Sequence, residues 1–158
     1  MKVVILSATL AAVLLTTGAA QAGSAGGFAA LSLAEQVGLN SPAVSTAHKI
    51  ILMRFQNGNT TFASSNAPFA VTASSIDCGA SNVDITHYHC TLIFGSPTVE
   101  LTGRAAQQLY ATLVEAGVPG DGAAGTIHEG LSALTCTVNV GDVKARAGAG
   151  ASCNFSPF

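Results

Sequence analysis

Four cysteines constrain this chain more than any other feature: Cys78, Cys90, Cys136 and Cys153. All four follow an N-terminus that reads as an export signal. Met1-Lys2 supplies a positive charge, and Val3 to Leu15 is apolar apart from Ser7 and Thr9. Ala20-Gln21-Ala22 then has the small-x-small form that signal peptidase cuts. The apolar run is shorter than the ~20 residues that cross a bilayer. The expected mature chain begins at Gly23, has no membrane span, and resides in the periplasm or outside the cell. Thiols oxidise there, so four cysteines read as two disulfides. Sequence alone permits three connectivities. Closeness along the chain and strand-like flanks favour Cys78–Cys90 and Cys136–Cys153. Closing a loop of about fifteen residues contributes roughly 3 kcal/mol in the chain-entropy model. Zinc is the competing use of cysteine, but it favours C-x2-4-C spacings, which are missing here.

Composition narrows the function classes. Charged residues are 9% and the formal net charge is -2, so no basic excess exists for a nucleic-acid backbone. Hydrophobic residues are 49%, too many for a chain disordered throughout. The expected organisation is a signal peptide over residues 1–22, a flexible Gly/Ala/Ser-rich leader over 23–47, and one disulfide-stapled α+β domain over 48–158.

Within that domain the clearest strand is Tyr88 to Phe94. Tyr88, Cys90, Leu92 and Phe94 share the expected core face, and His87, His89, Thr91 and Ile93 share the other. Leu134, Cys136, Val138 and Val140 alternate in the same way, as do Ala151, Cys153 and Phe155. Phe69 to Cys78 reads as extended, broken by Gly79. Ile50 to Phe55 reads as a strand, with Asn57-Gly58 turning into a second strand at Thr60 to Phe62. The one convincing helix runs from Thr102 to Ala116. Ala105, Ala106, Leu109, Tyr110, Leu113 and Val114 recur at three- and four-residue steps, and Gly117 and Pro119 end it. The sum is an antiparallel sheet of four to six strands covered by one amphipathic helix. Cys90-Thr91-Leu92-Ile93-Phe94-Gly95 also echoes Cys136-Thr137-Val138-Asn139-Val140-Gly141, which two cysteine-bearing strands ending in glycine would do by convergence.

Candidate sites are few. His87 and His89 lie two apart on a strand, a spacing that points both imidazoles one way. With a third ligand from Asp84, His128 or Glu129 they would suit zinc or copper. The plainer reading is the wet face of a half-buried sheet. Gly120-Asp121-Gly122-Ala123-Ala124-Gly125 matches G-x-G-x-x-G, but it follows a helix and precedes strand-like residues. The dinucleotide fingerprint needs the reverse, so no cofactor is implied. No G-x-S-x-G elbow occurs. Lys144-Ala145-Arg146 is a small basic cluster of the kind that serves solubility. The leading expectation is a non-catalytic binding module, an inhibitor among the options, for a protein or other envelope component. A metal-binding protein using His87 and His89 is the first alternative. A hydrolase whose site assembles only in three dimensions is the second.

Overall fold

The structure is a computed structural model and describes residues 23–58, 67–81, 87–120, 126–140 and 150–157. The signal segment, Thr60 to Phe62, Asp84, residues 121–125 of the glycine-rich loop and the Lys144-Ala145-Arg146 cluster lie outside the described residues. The described residues form an α+β fold with three helices and a seven-stranded antiparallel sheet.

In chain order the elements are β1 (Gly23–Gly26), α1 (Gly27–Asn40), α2 (Thr46–Gln56), β2 (Phe69–Ala73) and β3 (Ser75–Ser81). There follow β4 (His89–Ile93), β5 (Thr98–Thr102), α3 (Gly103–Glu115), β6 (Thr126–Val138) and β7 (Ala151–Pro157). The sheet runs β1-β7-β6-β3-β4-β5, with β2 also beside β6. Both cysteine pairs join neighbouring strands at directly opposed positions: Cys78 with Cys90 across β3–β4, and Cys136 with Cys153 across β6–β7.

The 13-residue β6 is the spine of the sheet. Its first half pairs with β3 and its second half with β2. Inward-facing positions change parity between the halves: Glu129 and Leu131 in the first, Leu134, Cys136 and Val138 in the second. A bulge between Leu131 and Ala133 supplies the extra residue. Ser74 shifts parity in the same way between β2 and β3. Its backbone N–H donates to the Ile93 carbonyl at 2.7 Å, and its Oγ accepts from the Gly95 N–H at 2.8 Å. Ser132 shares its hydroxyl proton between the carbonyls of Ser156 and Pro157, each at 3.2 Å. Serine suits both positions because its side chain bonds backbone groups where the ladder is interrupted.

Helices cover one face of this sheet. The stretch expected to be a flexible leader is instead the centre of the core. Ala30, Leu31, Leu33, Ala34 and Val37 of α1 are fully buried, and α1 packs against α2, α3, β2, β6 and β7. Its small residues are what allow the approach. A Cβ on Gly38 would meet Leu52 Cδ1 at 2.5 Å and Val71 Cγ2 at 3.2 Å, so only glycine fits between α2 and β2. A helix apolar on nearly all sides belongs in the interior.

Residues 50–55, expected as a strand, are helical. Leu52 and Phe55 lie three apart and bury one face, and the Ser45 hydroxyl accepts from the His48 N–H at 3.2 Å to cap the first turn. The His48 ring stacks on Phe69 of β2, centroids 4.1 Å apart. Asn57-Gly58 is the C-terminal end of this helix and not a hairpin turn. The helix expected at 102–116 is α3. It buries Ala106, Leu109, Thr112 and Leu113, whereas Val114 and Ala105 face outward. The Thr112 hydroxyl accepts from Gln36 Nε2 of α1 and donates to the Gln108 carbonyl at 2.9 Å, joining the two helices. Each helix sits over one disulfide: Cys90 Sγ lies 3.4 Å from the Ala106 carbonyl, and Cys153 Sγ 3.4 Å from the Ala30 carbonyl.

Candidate binding face

Among the described residues the other face of the sheet carries no helix. Its side chains are the positions that alternate with the core, and strand register sets their order. Over β2, β6, β7 and β1, one rung reads Thr72, Thr135, Asn154 and Ser24. The next reads Ala70, Thr137, Ser152 and Gly26. All eight are exposed. This half is uncharged and carries short hydroxyl and amide side chains beside Ala70 and Gly26.

Past the kink at Ser74 and Ser132 the face becomes ionisable. Over β6, β3, β4 and β5, one rung reads His128, Gly79, His89 and Thr102, and the next reads Gly130, Asp77, Thr91 and Glu100. The His128 Nε2 meets the Asp77 carboxylate. His89 Nε2 lies 2.6 Å from Glu100 Oε2, which also accepts from the Thr91 hydroxyl at 3.0 Å. Among the described residues every Lys and Arg lies on α2 or α3: Lys49, Arg54 and Arg104. Among the described residues the ionisable groups of this face are therefore carboxylates and imidazoles, and the Lys and Arg side chains lie on the helical side.

These positions rearrange the sequence-level candidates. His89 points to the helix-free face as its strand parity requires. His87 precedes β4, in a turn, and is exposed. His128 shares the open face with His89, each standing opposite Gly79 from its own side. Glu129 is turned the other way, into the core, at 6% exposure. Among the described residues no three His, Cys, Asp or Glu side chains already converge to hold a metal.

Glu129 is an acid of this region whose pKa is raised. Burial raises its carboxyl pKa from the ordinary value, opposed in part by neighbouring His128. Its Oε2 is buried and accepts no hydrogen bond among the described residues. The Tyr110 hydroxyl is also raised, by burial first, then by Glu129 and Tyr88. Tyr110 and Tyr88 lie with ring centroids 5.4 Å apart. A Cβ on Gly120 would come 2.7 Å from Glu129 Oε1, so that backbone closes directly over the carboxylate.

The depressions on the described surface are open. One of about 320 Å³ lies at the kink, bordered by Thr72, Ser74, Phe94 and Thr135. A second of about 200 Å³ lies beside it at Ala133, Asn154 and Ser156. Among the described residues no helix is long and apolar enough to cross a membrane. No protein-family model, no curated protein and no solved structure matches the chain.

Proposed function

We propose that this chain is an exported, non-catalytic binding module that holds a folded protein against its helix-free sheet face. The reading rests on one observation: among the described residues helices cover a single face of the seven-stranded sheet, and the opposite face presents exposed and half-exposed Thr, Ser, Asn, His, Asp and Glu. The two described depressions on this face are open, and such an array suits a broad partner surface better than a small molecule, which binds in enclosed clefts. Charge complementarity favours a partner with a basic patch, because Asp77 and Glu100 meet no Lys or Arg among the described residues of this face. The disulfides support the rest. They tie β3 to β4 and β6 to β7 directly beneath the array, and such bonds persist in oxidising compartments. With the signal-like N-terminus they favour the periplasm or the extracellular space. Inhibition of an enzyme is one use of such a module.

The test compares two surfaces of the mature protein. Thr137→Arg and Asn154→Arg place cations on the open face without touching the core. Both should weaken capture of the partner from native envelope extract by about tenfold or more. Arg104→Ala, on α3, should leave capture unchanged. Capture that survives both sheet-face variants and fails with Arg104→Ala would assign the interface to the helical side.

A further inference from the structure

The ionisable half of the open face contains an arrangement that shape recognition does not require. Gly79 of β3 is paired on one side with His89 of β4 and on the other with His128 of β6. The three share a face because the neighbouring rung, Cys78 with Cys90 and Glu129, points into the core. Adjacent strands lie ~4.8 Å apart, so the two histidine Cα atoms stand about 10 Å from one another. The position between them has no side chain. On the next rung of β3, Asp77 already meets His128 Nε2.

We infer that His89, His128 and Asp77 bind one zinc ion above Gly79. Two neutral imidazoles and a carboxylate form a donor set that zinc accepts at ~2.0–2.2 Å, leaving a fourth position for water or a partner's side chain. The ion replaces the proton that His128 and Asp77 share. His89 completes the site by turning away from Glu100 and over Gly79. Its side chain is 55% exposed, so no packing opposes the turn, and Glu100 keeps the Thr91 hydroxyl. In the structure the three donors do not converge; rotation of the His89 side chain would bring them together. Any residue larger than glycine at 79 would put atoms where the ion sits. His87 lies before the strand and takes no part, which separates this site from a His87–His89 chelate.

Isothermal titration of zinc chloride into the chelator-stripped mature protein tests the site without any partner. The expected result is one ion per chain. Affinity should fall by about tenfold or more in His89→Ala, His128→Ala and Asp77→Asn, and stay unchanged in His87→Ala. Gly79→Val keeps all three donors and should lose affinity to a similar degree. Imidazole NMR signals of His89 and His128 should move together on zinc addition in the wild-type chain. Unchanged affinity in His128→Ala or in Gly79→Val would overturn the assignment, as would loss of binding in His87→Ala.

Discussion

Glu129 shows how one residue sets a condition on the whole fold. Its pKa is raised in the native state because its charged form is buried beneath Gly120 with an unmet Oε2. The native state thus favours the protonated carboxyl. That contribution to stability is complete below the unfolded-state pKa of ~4.3 and is lost as pH rises through the raised native value. Zinc-free Glu129→Gln should be more stable than wild type at pH 8, on the order of 1 kcal/mol, and the gap should close at pH 4. Urea unfolding at the two pH values checks this; a gap that widens on acidification contradicts it. Gly38 is the second such residue. Gly38→Val would drive side-chain atoms into Leu52 and Val71 and should cost roughly 1–3 kcal/mol in the same assay. Strand parity makes the opposite facing of His128 and Glu129 legible from sequence. The pairing of His128 with Asp77 was not, because it depends on register between residues 51 apart.

At the scale of elements, the readable ones carry a clean period. Cys90 and Leu92, then Leu134, Cys136 and Val138, then Ala151, Cys153 and Phe155, are buried as alternation requires. α3 is legible for the same reason at a period of 3.6. The other elements lack such a signal for separate reasons. α1 buries most of its length and even exposes an apolar residue, Phe28, so it offers no polar stripe to contrast with its apolar one, and its Gly/Ala/Ser content resembles a linker. α2 carries β-branched Ile50-Ile51 at its centre, yet packing of Leu52 and Phe55 and the Ser45 cap override that local preference. β5 was missed because Thr98 to Thr102 is short and carries Glu100 outward. Ser45→Ala should lower the protection of α2 amides against hydrogen exchange by about 1 kcal/mol while leaving β4 amides unchanged. Equal loss in both would mean that α2 does not open independently.

For the whole molecule, the disulfide pairing is the one that closeness along the chain favours, and the structure adds what the pairs brace. Each joins two strands under one helix, and the two lie on either side of the kink that divides the open face. Replacing either pair by Ser should lower stability by about 2–5 kcal/mol. The location of the proposed binding surface could not be read from sequence, since it depends on all three described helices packing on one side. Site-specific photo-cross-linking in the native host tests the central claim most directly, with a benzophenone side chain at Thr135 on the open face or at Gln107 on the exposed side of α3. A discrete protein adduct from position 135 and none from position 107 is the predicted result. Adducts from position 107 alone would contradict the account.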